Sequence, residues 1–153
     1  MTIRLMTPQD FPLFWPTFKT IIEAEETYAF SSSLTEAQAA QLWFDLPTET
    51  YVFMVDEKIA GSYYIKPNAA GPGDHVCNCG YMVKPQFRGR GIAAQLCKHS
   101  KQRAVELGFQ AMQFNSVVST NTVAVKLWQN AGFEIIGTVP KAYRHKQHGY
   151  VDT

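Results

Sequence analysis

The residues best suited to chemistry lie at 83–93, where the chain reads Val-Lys-Pro-Gln-Phe-Arg-Gly-Arg-Gly-Ile-Ala. Glycines at 89 and 91 leave the main chain bare, so a ligand can approach successive N–H groups closely. Ile92, Ala93, Leu96, Cys97, Ser100, Ala104 and Leu107 follow at helical spacing, and Gly108 supplies the stop. The turn therefore opens a helix, whose N-terminus carries a partial positive charge that favours an anion. Arg88 and Arg90 add formal charge, and the expected ligand is a pyrophosphate. The same composition also makes an ordinary solvated turn; the strand before it and the helix after it favour the phosphate reading. A nucleoside-triphosphate loop would need Gly-Lys-Ser/Thr, which is absent. A dinucleotide fingerprint is nearly met by Gly89, Gly91 and Ala94. It lies mid-chain, however, with a hairpin before it and two strands after, a poor fit to a Rossmann half.

The elements that must position this turn follow from periodicity and punctuation. Ile3 and Leu5 predict a first strand. Thr7-Pro8-Gln9-Asp10 predicts a helix start with Thr7 as N-cap. Phe11, Phe14, Trp15, Phe18, Ile21 and Ile22 continue that helix, and Pro12 and Pro16 imply a kink or a late start. Thr35 with Gln38 forms a capping box for a second helix that ends near Leu46 and Pro47. Residues 51–55 and 59–65 predict a hairpin, 66–73 a loop, and 75–84 a fourth strand interrupted by Gly80. Residues 111–118 predict a fifth strand, 122–131 a helix closed by Gly132, and 133–139 a sixth strand. The order is strand, two helices, three strands, helix, strand, helix, strand, which is α/β with a mixed sheet.

Composition bounds the rest. The 153 residues, 46% hydrophobic, suit a single domain over 1–153 with one core. A net charge of +1 gives no footprint for nucleic acid, and no apolar run reaches membrane-span length. The N-terminus lacks a secretory pattern, and three cysteines cannot all pair within one molecule, so a reduced, cytoplasmic protein is expected. Cys77, Cys79 and His75 share one strand face without a fourth ligand, so no metal site is expected. The cluster Arg144-His145-Lys146-Gln147-His148 reads as a solvated loop or as a positive rim for an anionic ligand.

Gln86-x-x-Gly89-x-Gly91, after a strand ending Val83-x-Pro85, and Asn121-Thr-Val-Ala124-Val-Lys-Leu127-Trp128-Gln-Asn-Ala-Gly132-Phe133 about 30 residues on resemble the two signatures of the GNAT superfamily of N-acetyltransferases. The likeness covers almost the whole chain. It implies a mixed, mostly antiparallel sheet splayed between strands four and five, with helices on both faces. It also implies acetyl transfer from acetyl-CoA to an amine by direct attack, without a covalent enzyme intermediate. Backbone groups of Tyr81, Met82 and Val83 are then expected to hold the pantetheine arm as an added strand, with Gly80 at the bulge that opens the splay. N–H groups of Arg88, Gly89, Arg90, Gly91, Ile92 and Ala93 are expected on the pyrophosphate. Asn121 is expected on the pantetheine, as a plain N-cap, or as both. Glu26-Thr-Tyr28-Ala-Phe30, residues 75–83 and Met112-Gln-Phe-Asn115 look like the branch that acetylates azetidine-2-carboxylate, where asparagines matching Asn78 and Asn115 lie at the reaction centre.

The sequence departs from the family pattern in three ways. Trp128 stands where many members carry a tyrosine acid, and an indole N–H cannot usefully give up a proton. Strands four and five carry no carboxylate, so the base is Glu23, Glu25 or Glu26, or a water held by Asn78 and Asn115. A seventh strand would begin at Val151-Asp152-Thr153, so the last strand reads as incomplete, and a partner strand or homodimer contact is expected to cover the edge. The expected acceptor is a small, amino-acid-like amine. A non-catalytic acyl-CoA-binding module, which Trp128 would permit, is the alternative, followed by a Rossmann-type nucleotide binder.

Overall fold

Two consecutive residues with positive φ, Asp56 (46°) and Glu57 (59°), reverse the chain between β2 (Glu49–Val55) and β3 (Lys58–Pro67). That turn matches the right-handed twist of the strands it joins. In the computed structural model, which describes residues 1–153, β1 (Thr2–Leu5) and β4 (Val76–Val83) flank this hairpin antiparallel, and β5 (Ala111–Met112) lies parallel to β4. The sheet order is β1-β2-β3-β4-β5. A mixed, mostly antiparallel sheet, parallel only at β4/β5, is the fold class expected. By its internal contacts the chain divides into two units, Met1–Phe18 with Thr35–Phe114, and Lys19–Leu34 with Asn115–Thr153.

In the first unit, alternation along each strand sends two sets of side chains to opposite faces. Tyr51, Phe53, Tyr63, Ile65, Cys77 and Cys79 form one buried cluster with Ile92, Leu96 and Ala104 of α3 (Ile92–Glu106). On the other face Phe14 and Phe18 of α1 (Asp10–Ala24) meet Trp43, which in turn meets Tyr64 edge-on at 4.9 Å. Trp43 sits in a π-helical turn (Gln41–Asp45) that continues α2 (Glu36–Ala40), and its indole N–H donates to Ser62 Oγ at 3.0 Å. The Thr35–Gln38 capping box opens α2 as expected.

Helix α1 starts late, at Asp10, but Thr7 is not its N-cap. The Asp10 carboxylate instead accepts from the Thr7 N–H and hydroxyl and pairs with Arg4 through two bonds of 2.6 and 2.8 Å. Pro12 then falls in the first turn, where an amide has no helical partner to lose.

Three further expectations are corrected. The fifth strand is two residues long, not eight. Gly80 marks no bulge, because β3 and β4 stay in register from Gly61↔Val83 to Pro67↔Cys77; the irregularity lies at Phe53/Met54. Residues 133–139 form no strand: Ile135 and Ile136 are exposed, and only Val139 exchanges backbone bonds, with Thr153. The last strands of the second unit are instead β6 (Tyr143–His145) and β7 (Gly149–Val151), an antiparallel hairpin; of the cluster expected to be a loop, Arg144 and His145 lie in β6 and residues 146–148 form the exposed turn. Its turn is tied by His145 Nδ1, which accepts from the N–H groups of Gln147 and His148. The same unit contains α4 (Thr122–Asn130), which ends at Gly132 with φ +89°. No helix is long and apolar enough to cross a membrane.

Candidate active site

Gly89 and Gly91 both adopt positive φ, +75° and +71°. A Cβ added at either would meet no atom within 4 Å, so open space lies over this stretch of main chain. Gly91 is the N-cap of α3 and offers no side-chain oxygen; the first helical bond runs from Gln95 N–H to Gly91 O. The amides of Ile92, Ala93 and Ala94 therefore have no acceptor within the helix. An anion with several oxygens fits them, with the helix dipole adding to the attraction. The Arg88 N–H is spent on Pro85 O at 3.2 Å, so this residue offers its exposed guanidinium rather than its amide. The Arg90 guanidinium lies over the Phe87 ring at 5.2 Å.

Strand β4 leads into this turn, and its hydrogen-bonding parity decides which backbone groups face which neighbour. Lys84 N–H donates to Ala60 O, making these opposed residues a hydrogen-bonded pair. Such pairs alternate along an antiparallel ladder. Met82, Gly80 and Asn78 therefore turn their amides and carbonyls toward β3, and Cys79, Tyr81 and Val83 turn theirs toward the β5 side. Tyr81 and Val83 thus direct their backbone groups away from β3, whereas Met82 bonds into the sheet. The β4/β5 register covers only Val76↔Ala111 and Cys77↔Met112, followed by Gln113 N–H donating to Cys77 O.

Asn78 stands where that ladder ends. It is 8% exposed; its Nδ2 donates to Gln113 O at 2.9 Å and its Oδ1 accepts from the Tyr64 hydroxyl at 3.1 Å. Tyr64 is seated by what surrounds it. Its cross-strand partner is Gly80, where an added Cβ would fall 2.5 Å from Tyr64 Cε1. Gly80 is therefore a site of close approach by a ring, with Trp43 packed against that ring as well. Burial pushes the Tyr64 phenol up to about 12, so it remains a donor near neutral pH. Within the apolar run 59–65 nothing in the sequence sets Tyr64 apart from its neighbours. The available signal was a glycine opposite a tyrosine once the two strands are set in register.

The remaining expected residues belong to the second unit. Asn121 is the N-cap of α4, its Oδ1 accepting from Ala124 N–H at 3.2 Å. Trp128 is half-buried on the same helix and meets Phe133 edge-on. Asn115 and Glu26 are exposed. An apolar groove of about 430 Å³, lined by Phe11, Pro12, Ala37, Ala40 and Phe44 among others, holds none of the expected site residues.

Residues 14–133 match the acetyltransferase (GNAT) family. The chain belongs to that family. It is 32% identical over 148 residues to the N-acetyltransferase aca1 of Schizosaccharomyces pombe, covering 86% of this chain and 71% of the relative. A GCN5-related N-acetyltransferase from Kribbella flavida is 45% identical, with a TM-score of 0.93 over 99% of this chain and 92% of that one. The phosphinothricin acetyltransferase of Sinorhizobium meliloti, solved in complex with AcCoA, shares the fold at 19% identity, with a TM-score of 0.88 over 99% and 83% of the two chains.

This protein is thus an acetyl-CoA-dependent N-acetyltransferase. Cys77, Cys79 and Cys97 are buried free thiols. Burial pushes the Cys79 and Cys97 thiols up; a hydrogen bond with Cys79 draws the Cys77 thiol down. Two carboxylates withdrawn from solvent are committed to arginines, Asp10 to Arg4 and Glu49 to Arg103. Arg103 holds the Glu49 carboxyl below its usual range, chiefly through hydrogen bonds of 2.7 and 2.8 Å. No three His, Cys, Asp or Glu side chains come together as a set able to hold a metal ion.

Proposed function

We propose that this acetyltransferase acts on a small amine that carries a carboxylate, such as a cyclic or α-amino acid, and that Asn78 and Asn115 orient it. The observation that carries this reading is the Asn78 amide, buried at the end of the β4/β5 ladder with capacity for one further donation and one further acceptance. A neutral amide can bind a carboxylate-bearing amine without the repulsion that Asp or Glu would exert. Residues 75–83 and 111–119 carry no carboxylate, and the likeness of 26–30, 75–83 and 112–115 to the azetidine-2-carboxylate branch points the same way.

Acetyl-CoA then lies with its pyrophosphate on the amides that follow Gly89 and its pantetheine along Tyr81 and Val83, with Asn121 donating to it. The neutral amine attacks the thioester carbonyl carbon, the C–S bond breaks, and the sulfur leaves as thiolate. With a thiol pKa of roughly 8.5 that departure needs no strong acid, so Trp128 packs beside the thioester without giving up a proton. The ammonium proton passes to water held by the two asparagines, or to Glu26.

The test is thiol release from acetyl-CoA with a panel of amino acids, polyamines and lysine peptides, followed by Asn78→Ala on the best acceptor. Losing one buried amide partner costs about 1–3 kcal/mol, so kcat/KM should fall roughly 5- to 150-fold. Acetyl-CoA affinity should hold within about twofold. A preference for polyamines or lysine peptides would overturn the acceptor assignment.

A further inference from the structure

The two partners of Asn78 do more than satisfy it. A carbonyl oxygen can only accept, so the atom facing Gln113 O must be Nδ2. The other amide atom is then Oδ1, and the Tyr64 hydroxyl must donate to it. The Gln113 carbonyl excludes the flipped amide, which would set oxygen against oxygen there, and the Tyr64 bond then restrains the amide in the sense that remains. Tyr64 can make its bond because Gly80, its cross-strand partner, lets the ring lie flat on β4 and reach back two residues to Asn78. Trp43, edge-on at 4.9 Å, holds the ring there, and the Lys66 ammonium lies 5.4 Å from its centroid. An aromatic ring over a cross-strand glycine recurs in sheets where the glycine leaves room for it. Here the ring also carries a hydroxyl placed against a buried amide.

We propose that Tyr64 is a positioning residue for acetyl transfer: it holds the Asn78 amide in the sense that Gln113 O sets, and so keeps one edge donating and the other accepting toward the amine. The proposal rests on the reading that Asn78 faces the acceptor. Tyr64 touches neither substrate and acts only through Asn78. Its effect therefore belongs to acceptor kinetics and not to acetyl-CoA binding.

Tyr64→Phe tests it, since the ring keeps its packing on Gly80 and Trp43 and loses only the hydroxyl. For the best acceptor, kcat/KM should fall about 5- to 30-fold, the range of one hydrogen bond to a buried polar group, while the acetyl-CoA Kd stays within about twofold. The double variant Tyr64→Phe/Asn78→Ala should be no worse than Asn78→Ala alone, because two residues acting as one unit do not add. In 15N-edited spectra the Asn78 side-chain amide protons, assigned by their loss in Asn78→Ala, should exchange with solvent about tenfold faster or more in Tyr64→Phe, as a lost restraint implies. The proposal is overturned by additive losses, by unchanged acceptor kinetics in Tyr64→Phe, or by an acetyl-CoA Kd that shifts as far as kcat/KM. If Asn78→Ala itself leaves acceptor kinetics unchanged, the acceptor reading falls and this one with it. If only Tyr64→Phe does so, the acceptor reading stands alone.

Discussion

Replacing Gly91 by valine separates two effects that one backbone position combines. The residue has φ +71°, a conformation in which a β-branched side chain is strained. Residues held in such regions cost about 1–3 kcal/mol, so Gly91→Val should lower stability by that much. The added side chain enters space that holds no protein atom within 4 Å of the Cβ, directly over the uncapped start of α3. If the pyrophosphate lies there, one or two charge-assisted hydrogen bonds are lost. Each is worth about 1.5–3 kcal/mol, and a net loss of about 2–3 kcal/mol weakens acetyl-CoA binding roughly 30- to 150-fold. Gly108 supplies the control. It also has positive φ (+87°) and open space around its Cβ, but it ends α3 rather than beginning it. Calorimetric titration with acetyl-CoA, alongside thermal unfolding of both valine variants, should show similar destabilisation and a binding defect in Gly91→Val alone. Binding by Gly91→Val within threefold of wild type, or an equal defect in both, refutes the placement of the anion at the α3 N-terminus.

Asn121→Ser should keep the cap on α4, since serine is as good an N-cap as asparagine, while Asn121→Ala should cost about 1 kcal/mol. If the Asn121 amide also donates to the pantetheine, both variants weaken acetyl-CoA binding, and a serine variant that binds as wild type leaves Asn121 a cap only. Asp10 tests the coupling of β1 to α1 through pH. Its hydrogen bonds to Arg4 lower its carboxyl from 3.8 to about 2, so it contributes stability that is fully present above 3.8 and lost as pH falls through 2. At about 1.4 kcal/mol per unit, discounted because Arg4 is partly exposed, Asp10→Asn should cost about 1–2 kcal/mol at pH 7 and almost nothing at pH 2. A gap between the two urea-unfolding curves that does not change with pH would refute it.

What the sequence revealed was local chemistry with strong punctuation. Helix α3 could be drawn from its apolar spacing between Gly91 and Gly108, α4 from Asn121 to Gly132, and the β2–β3 hairpin from two apolar runs around Asp56 and Glu57. The glycine turn could be located because Gly89 and Gly91 both take a positive φ that glycine adopts without strain. The end of the chain is not legible in the sequence because its hairpin depends on partners distant in sequence. The Tyr143 hydroxyl donates to Tyr28 O, 115 residues away, and Lys146 donates to the carbonyls of Glu23 and Glu25. Nothing in Arg-His-Lys-Gln-His advertises those contacts, whereas Ile135, Ile136 and Val139 advertise a strand that never acquires a ladder.

The site shows the same division more sharply. A sequence locates β4 but not the parity of its hydrogen bonds, which the β3–β4 register sets. That register, pinned by Lys84 on Ala60, turns Tyr81 and Val83 toward the β5 side and Met82 toward β3. It also sets Gly80 opposite Tyr64, which brings the phenol to Asn78. One register therefore fixes both halves of the proposed chemistry: the backbone groups offered to the pantetheine and the phenol that restrains the amide offered to the amine. A one-residue slip would exchange the two sets, turning the Met82 backbone to the β5 side and the Asn78 side chain to the face of Cys77 and Cys79. The missing Cβ at Gly80 opposes that slip, since no other residue of β4 could lie beneath the Tyr64 ring. Glycine at 80 is thus required by the ring across from it, and through that ring by the amide at 78.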